Sequence, residues 1–330
     1  MTTIEASSNE FVVNPADIQA AATRIAPHVL RTPSIHSESL SKRLGCQVWF
    51  KPENLQHTGA FKTRGAVNAV MSLSEEEASK GVVTHSSGNH AAALARAATI
   101  RGIEAHVVMP KNSSRKKIDA VRSFGVEPIF CETSSQARSE MAEKVREKTG
   151  AAMVHPINDP RVIAGQGTVA SELVAQIDGL DAVLVPVGGG GLISGILMLI
   201  KSLHPHIKVY AVEPALADDT ARSLKAGHRE MPVRYDTIAD GLRSEVGVNT
   251  FPIIRHFVDD LFLVDEVLIG SAMRTLAEDA HLVAEPSGAV SFAGLISMKQ
   301  QFAGKTVAAV ITGGNMDFGE CKLGRNRISS

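Results

Sequence analysis

The sequence predicts an α/β protein with parallel sheets, and three observations lead to this prediction. Short apolar runs recur along the chain from about residue 47 onward. Segments of helical length separate these runs, a pattern that is typical of strand–helix–strand units. The runs are continuously apolar, which indicates strands that are buried on both faces, as in a parallel sheet covered by helices.

Seven strands are predicted in chain order. They are residues 47–51, 81–85, 105–109, 126–130, 182–186, 208–212 and 306–311. The units between 78 and 155 are predicted to form a small domain, and residues 1–77 together with 156–330 a larger, discontinuous one. No proline- or serine-rich linker separates the two. Ligands in such folds bind at the carboxyl ends of strands, so the segments that follow strands are the first candidates for a site.

The composition excludes several classes of function. The chain of 330 residues is 44% hydrophobic and 21% charged, which is typical of a globular protein. A net charge of -1 favours neither nucleic acid nor an anionic membrane as a partner. There is no bilayer-spanning apolar run, and the first residues do not resemble a signal peptide. The scattered Cys46, Cys131 and Cys321 form no disulfide framework, so we expect a reducing, cytoplasmic location.

Lys62 is the first candidate functional residue. It follows the small residues Gly59 and Ala60 and the aromatic Phe61, and it opens the apolar helix predicted around residues 66–70. A lysine in such a dry environment can lose its proton and attack the aldehyde of a cofactor. The alternative is a lysine that extends from a helix start into solvent.

A polar segment follows the second predicted strand and leads into an alanine-rich helix. Ser86, Ser87 and Asn89 stand at this helix start. Together with the free backbone amides of the first turn, they form a compact site for an anion. The alternative is a capping turn, since serine and asparagine are favoured N-cap residues.

Four consecutive glycines, residues 188–191, follow the strand predicted at 182–186. Their unobstructed N–H groups and the dipole of the next helix make a nest for a phosphate. The lysine and serine of a nucleotide-binding P-loop are absent, so a nucleotide is not indicated. The alternative is a flexible hinge.

Thr312 follows the last predicted strand and precedes Gly313 and Gly314. It offers a neutral hydroxyl, although a threonine at a strand end is usually structural. One cofactor fits all four segments. Pyridoxal 5′-phosphate has an aldehyde for Lys62, a phosphate for the glycines, and a phenolic oxygen and a ring nitrogen for Asn89 and Thr312.

These segments resemble the motifs of the fold-type II (tryptophan synthase β-like) pyridoxal-phosphate family, and within it the serine racemase and serine/threonine dehydratase group. The resemblance runs from about residue 12 to 318 and also includes residues 154–156, 162–168, 240–244 and 247–250. It implies two open, twisted, mostly parallel sheets, with the active site between a large and a small domain.

The resemblance also implies a role for each cofactor-binding residue. Lys62 would be the Schiff-base lysine, Phe61 would lie against the cofactor ring, and Asn89 would hydrogen-bond the phenolic oxygen. Thr312 would face the pyridine nitrogen. The phosphate would be held by the backbone amides of Gly188, Gly189, Gly190, Gly191 and Leu192.

For the substrate, the resemblance implies that Ser86, Ser87 and Asn89 bind the α-carboxylate. Ser87 would also be a second acid/base on the face opposite Lys62, which a racemase needs. A serine that only caps the helix would look the same. Arg138 would lie near the mouth of the site, where it could meet an anionic substrate, although a solvated helix arginine fits the sequence equally well. Ser134, Ser135 and Arg161 are further candidates for binding a second substrate carboxylate.

The resemblance also bears on a metal site and on activation by a nucleotide. Glu213, Asp219 and the backbone carbonyl of Ala217 would hold Mg²⁺ (or Ca²⁺ or Mn²⁺), as in the metal-activated members of the group. A surface acidic turn is the alternative. The resemblance does not support activation by ATP, because His57 and His281 stand where animal serine racemases have lysines.

The expected function is therefore a serine racemase and L-serine (L-threonine) dehydratase that forms a homodimer and acts on a small amino acid. Dehydration of 3-hydroxyaspartate is the main alternative. A β-replacement synthase of the same fold is less favoured, because such enzymes lack the Ser-Ser-Gly-Asn-His form of residues 86–90. A non-catalytic cofactor carrier is disfavoured by the presence of Lys62, Asn89 and the glycines.

Overall fold

The computed structural model describes residues 11–86 and 88–317. Within these ranges the strands alternate with helices, as the sequence predicts. The strands are β1 (Ile35–His36), β2 (Gln47–Pro52), β3 (Val82–His85), β4 (Ala105–Pro110), β5 (Ile129–Cys131), β6 (Ala152–Met153), β7 (Ala182–Pro186), β8 (Lys208–Pro214), β9 (Asp260–Val264) and β10 (Thr306–Ile311).

The helices in the described ranges begin and end as follows. They are α1 (Pro15–Ile25), α2 (Glu38–Leu44), α3 (Lys62–Met71), α4 (Glu75–Ser79), α5 (Asn89–Arg101), α6 (Arg115–Arg122), α7 (Ser135–Thr149), α8 (Pro160–Gln176), α9 (Gly191–Leu203), α10 (Asp219–Ala226), α11 (Phe251–Phe257), α12 (Glu266–Asp279) and α13 (Pro286–Ser297). None of them is long and apolar enough to cross a bilayer.

The strands form two separate sheets. The larger has the order β1-β2-β10-β7-β8-β9 and is parallel except for the antiparallel β1–β2 pair. The smaller has the order β5-β4-β3-β6 and is parallel throughout. Two mostly parallel sheets confirm the predicted fold class. The smaller sheet lies within the predicted small domain, whose boundaries stay a prediction.

Burial on both faces explains the continuous apolar runs. Val183 and Val185 point to a core formed with α8 and α9, whereas Ala182 and Leu184 point to a second core formed with α13. Successive side chains of a strand point to opposite faces, so both sets must be apolar when helices cover both sides.

Three strands were not predicted, and one was predicted too long. β1 and β6 have two residues each, too few for a pattern. β9 is an edge strand whose apolar run, residues 261–264, is only four residues long and directly follows two aspartates. The strand predicted at 126–130 pairs with β4 only from Ile129 onward. Pro128 comes just before it and has no N–H to donate to a ladder.

Helix α3 lies where the two sheets approach each other. It packs against α5, which follows a strand of the smaller sheet, and against α8, which contributes to the core of the larger one. Val67 and Val70 of α3 share a buried cluster with Leu94 of α5 and Val162 of α8. The first residue of α3, Lys62, is thereby placed between the sheets.

Candidate active site

The amine of Lys62 is partly buried, and it lacks an anionic partner in the part of the chain that the structure describes. Its Nζ donates a hydrogen bond to the carbonyl of Pro156 at 3.0 Å and lies 5.1 Å from the centre of the Phe61 ring. Within the described ranges no carboxylate forms an ion pair with it. Burial therefore lowers its pKa from 10.5 to about 8. This is the property that a nucleophilic lysine requires.

A buried ionic network anchors the helix that carries Lys62. Arg64, two residues further on, has a fully buried side chain. Its Nε lies 2.7 Å from Glu53 Oε2, and its Nη1 lies 2.6 Å from Glu172 Oε1. Glu172 also pairs with Lys51 at 2.7 Å. The network ties the start of α3 to β2 and α8.

The segment after β10 lies directly beside the Lys62 segment. The backbone N–H of Phe61 donates to the carbonyl of Thr312 at 3.1 Å, and Ala60 forms an isolated bridge with Gly313. Thr312 is buried, and its hydroxyl is 3.3 Å from the carbonyl of Ser287. Two segments that are far apart in the sequence are thus adjacent, as a shared cofactor would require.

The glycine loop, residues 188–191, is packed closely against its neighbours, so larger side chains would not fit at Gly188 or Gly190. A Cβ on Gly188 would lie 2.9 Å from the Leu242 Cα, and one on Gly190 would lie 2.8 Å from Thr250 Oγ1. Gly190 also has φ +85°, which disfavours other residues. No side chain caps the start of α9, so its first amides face outward from the helix end. A cradle for an anion fits this geometry better than a hinge.

Asn89 is the first residue of α5, and its amide is held at both ends. Its Nδ2 donates to Glu285 Oε1 at 2.7 Å, and its Oδ1 accepts from Asn315 Nδ2 at 3.0 Å. A Cβ on Gly313 would lie 3.2 Å from Asn89 Nδ2. Asn89 therefore reaches the Thr312–Gly313 segment from the smaller sheet. Neither Glu285 nor its contact with Asn89 was foreseen from the sequence.

Two serines, Ser86 and Ser87, precede Asn89. Ser86 is half-buried, and its Oγ accepts a hydrogen bond from the Gly88 amide at 3.3 Å. Ser87 lies outside the described residues, as does Cys321. The role of Ser87 as the second acid/base therefore stays a prediction.

Two neutral histidines line the side of the site nearest the smaller sheet. The rings of His85 and His155 meet edge to face, with centroids 5.2 Å apart. Burial lowers the pKa of His85 to about 4 and also lowers that of His155. His155 Nδ1 accepts from the amides of Ile157 and Asn158, so it shapes the turn whose Pro156 carbonyl binds Lys62.

Arg138, in α7, is half-buried, and its charge also lowers the pKa of His85. Its Nε is buried without a hydrogen-bond partner among the described residues. An unpaired buried donor is costly, so this position favours a bound anion. Arg161, by contrast, forms two hydrogen bonds with the Asp159 carboxylate, at 3.0 and 2.7 Å. Ser134 caps α7.

Glu213 and Asp219 form a second site at the end of β8. Burial raises the pKa of Glu213 to about 8 and that of Asp219 to about 6. Asp219 Oδ1 is buried without a partner among the described residues, and Ala217 is buried nearby in the same turn. The described part of the chain contains no cluster of three or more His, Cys, Asp or Glu that could hold a metal. Two carboxylates and a carbonyl fit a hard cation that supplies the missing positive charge.

Comparison with known proteins agrees with this geometry. Residues 25–313 match the family described as pyridoxal-phosphate dependent enzyme. The chain is 46% identical over 307 residues to a beta-hydroxyaspartate dehydratase from Paracoccus denitrificans (strain Pd 1222), covering 93% of this chain and 98% of that protein. It is 45% identical over 324 residues to a serine racemase from Arabidopsis thaliana, covering 96% and 97%.

A solved structure supports the same assignment. The structure of maize serine racemase superposes with a TM-score of 0.92 at 43% identity, covering 94% of this chain and 95% of that one. The family match spans Lys62, Asn89, the glycine loop and Thr312. The chain therefore belongs to the pyridoxal-phosphate-dependent enzyme family.

Proposed function

We propose that this enzyme racemises serine and dehydrates L-serine and L-threonine to a 2-oxo acid and ammonia. The observation that carries the proposal is Lys62, a partly buried amine with a lowered pKa. It has no anionic partner among the described residues, and it lies between the two sheets next to Phe61, whose N–H binds the Thr312 carbonyl. Relatives at 45% and 43% identity are named serine racemases.

Each group near Lys62 has a distinct role in this proposal. Bound pyridoxal phosphate supplies an electron sink for the negative charge that develops at the substrate Cα. Lys62 would hold the cofactor through its amine and would take the α-proton of the substrate. The Thr312 hydroxyl would face the pyridine nitrogen of the bound cofactor. A hydroxyl cannot keep that nitrogen fully protonated as a carboxylate would, which favours prompt loss of the β-hydroxyl.

Racemisation depends on a second acid/base, for which we propose Ser87. Ser86, Ser87 and Asn89 are proposed to bind the substrate α-carboxylate, with the amides at the start of α5. If Ser87 returns a proton to the face opposite Lys62, Ser87→Ala loses racemisation and keeps L-serine dehydration. Equal loss of both activities would reduce Ser87 to a binding or capping role.

Dehydration of 3-hydroxyaspartate is the second candidate, and a specific observation favours it. The buried Nε of Arg138, near His85, has no hydrogen-bond partner among the described residues, whereas Arg161 pairs with Asp159. We propose that Arg138 binds a second substrate carboxylate. The Paracoccus denitrificans relative, at 46% identity, is named beta-hydroxyaspartate dehydratase.

One substrate panel separates these functions. The holoenzyme is incubated with L-serine, D-serine, L-threonine and threo-3-hydroxyaspartate, with and without Mg²⁺, and both the 2-oxo acid and the opposite enantiomer are measured. A change in cofactor absorbance without release of a 2-oxo acid or of the opposite enantiomer would instead indicate a non-catalytic carrier. Product formed only when an added nucleophile is present would indicate β-replacement.

Arg138→Gln tests the second carboxylate. We expect kcat/KM for 3-hydroxyaspartate to fall about 100-fold, because a charge-assisted hydrogen bond is lost, and kcat/KM for L-serine to change much less. Arg146→Gln is the matched control, since Arg146 lies on the same helix and pairs with Glu143 at the surface. Equal losses for both substrates would exclude selective binding by Arg138.

We further propose that Glu213, Asp219 and the Ala217 carbonyl bind Mg²⁺, with Ca²⁺ or Mn²⁺ as substitutes. Two buried carboxylates with raised pKa values support this proposal. A homodimer in the cytoplasm is proposed from the family alone, and sedimentation of the holoenzyme tests the dimer. Stimulation by ATP is not expected, because His57 and His281 replace lysines.

A further inference from the structure

The carboxyl group of Glu285 lies buried beside Asn89. Glu285 immediately precedes α13 and is only 4% exposed. Its Oε1 accepts the hydrogen bond from Asn89 Nδ2 at 2.7 Å. Gly313 makes room for this carboxyl group, since a Cβ at position 313 would clash with Glu285 Oε1. The contact joins α5, which follows the smaller sheet, to a helix that covers the larger one.

Two independent partners determine which way the Asn89 amide points. Asn315 Nδ2 donates to the carbonyl of Thr58 at 2.6 Å and to Asn89 Oδ1 at 3.0 Å. Because Asn315 is the donor, the end of Asn89 that faces it must be the oxygen. An ionised carboxylate can only accept, so the end that faces Glu285 must be the nitrogen. Among the described residues, Asn89 Nδ2 donates only to Glu285, so one of its two hydrogens remains available.

We propose that Glu285 is a positioning residue that holds the Asn89 amide so that its remaining Nδ2 hydrogen points at the phenolic oxygen of the cofactor. This inference rests on the proposed function, in which Asn89 binds that oxygen. An ionised Glu285 enforces the orientation. A protonated Glu285 can donate to the Asn89 oxygen instead, where it competes with Asn315 and favours the flipped amide.

The surroundings of Glu285 bring the pKa of its carboxyl group to about 7. Burial, with a smaller contribution from the Asp240 carboxylate, raises the pKa of Glu285 to about 7. The hydrogen bonds from Asn89 and Asn315 and the charge of Lys117 oppose this rise. Lys117 forms an ion pair with Asp240, so the two charges that face Glu285 largely cancel. The orientation of Asn89 is therefore enforced above about pH 7 and relaxed below it.

Cofactor affinity tests this positioning without relying on turnover. The dissociation constant of pyridoxal phosphate is measured from pH 6 to 9 for the wild type and for Glu285→Gln, whose neutral amide can donate as a protonated carboxyl does. We expect Glu285→Gln to bind the cofactor about tenfold more weakly than the wild type above pH 8, with the difference vanishing below pH 6. Glu266→Gln, at the start of α12, is the matched control and should bind as the wild type does at every pH.

Other results would overturn the inference. Equal binding by wild type and Glu285→Gln above pH 8 would do so, and so would a constant difference at all pH values, which marks a packing defect. Glu285→Asp keeps the charge and should retain the pH dependence even if its overall affinity drops; a flat profile would contradict the inference. A wild type that binds no cofactor would overturn the proposed function itself, whereas normal wild-type binding with unaffected variants would overturn only the role of Glu285.

Discussion

Lys51 and Lys62 are both withdrawn from solvent near the same helix, yet their surroundings differ. Lys51 Nζ donates to Glu172 at 2.7 Å, to the Thr32 carbonyl at 2.6 Å and to Gln176 at 3.0 Å. Lys62 Nζ has one protein acceptor in the described ranges, the Pro156 carbonyl. Burial lowers the pKa of both amines, but for Lys51 the Glu172 carboxylate counteracts the effect.

The difference separates a structural charge from a reactive one. A buried amine whose hydrogen-bonding capacity and charge are both satisfied is held in place and protonated. An amine that is desolvated without a counter-charge is partly neutral near pH 8 and free to react. Buried carboxylates show the same contrast. Arg64 holds the pKa of Glu53 below its usual value, whereas Glu213 has no such partner in the described part of the chain and burial raises its pKa.

The largest expected effect is the loss of catalytic activity in the Lys62→Ala variant. We expect turnover of L-serine to fall at least about 1,000-fold, because both the cofactor attachment and the proton acceptor are lost. The visible absorbance of the bound cofactor should no longer shift when serine is added. Substantial remaining turnover would show that another group removes the α-proton.

The second-largest expected effect is on the free energy of unfolding. For this quantity, the environment of Lys51 matters more than that of Lys62. Glu172→Gln leaves Lys51 and Arg64 with too little negative charge, which we expect to lower the free energy of unfolding by about 3 kcal/mol. Urea denaturation of the cofactor-free protein measures this change. Lys62→Ala, under the same conditions, should change it by less than about 1 kcal/mol. Similar losses in both variants would remove the distinction between the two lysines.

The pH dependence of cofactor attachment sharpens the comparison further. The pKa of Lys62 is about 8 in the folded protein and 10.5 ordinarily, so the neutral, reactive amine is populated as pH rises through 8. We expect the rate at which cofactor-free protein takes up pyridoxal phosphate to rise with pH and level off above about 8. A rate that keeps rising toward pH 10.5 would indicate an ordinary, solvated lysine.

The smallest expected effect is on the melting temperature, and it involves Glu213, whose carboxylate has no counter-charge among the described residues. Because the pKa of Glu213 is raised from 4.5 to about 8, the stability it contributes is present below about pH 4.5 and is lost as pH rises through about 8. Mg²⁺ should therefore raise the melting temperature by about 2–4 °C at pH 8 and less at pH 6. Glu213→Gln should abolish this shift. An unchanged shift in the variant would place the cation elsewhere.

Much of the fold could be predicted from the sequence because a buried strand can be recognised from its own residues alone. A strand buried on both faces must be apolar throughout, as residues 182–186 are. The edge strand β9 escaped prediction because its apolar run, residues 261–264, is short, and such a run cannot be assigned to a strand by periodicity alone. The predicted strand at 126–130 failed at Pro128, where the missing N–H decides the boundary.

The residues of the candidate site also fall into two groups: those that a local sequence pattern indicates, and those that only a long-range contact reveals. Lys62, Asn89 and the glycine loop each stand in a distinctive local pattern, so the sequence indicated them. Glu285 has no such pattern: its importance comes from contact with Asn89, 196 positions away. The compensation of Lys51 by Glu172 is likewise invisible until β2 and α8 are brought together.

The reactivity of Lys62 can be tested by trapping the linkage between protein and cofactor. The holoenzyme is reduced with sodium borohydride and digested, and the modified peptide is identified by mass spectrometry. We expect the reduced cofactor on Lys62, with Lys51 unmodified. Attachment to Lys51 or to another lysine would contradict the conclusion that a buried amine without a counter-charge is the reactive group of this enzyme.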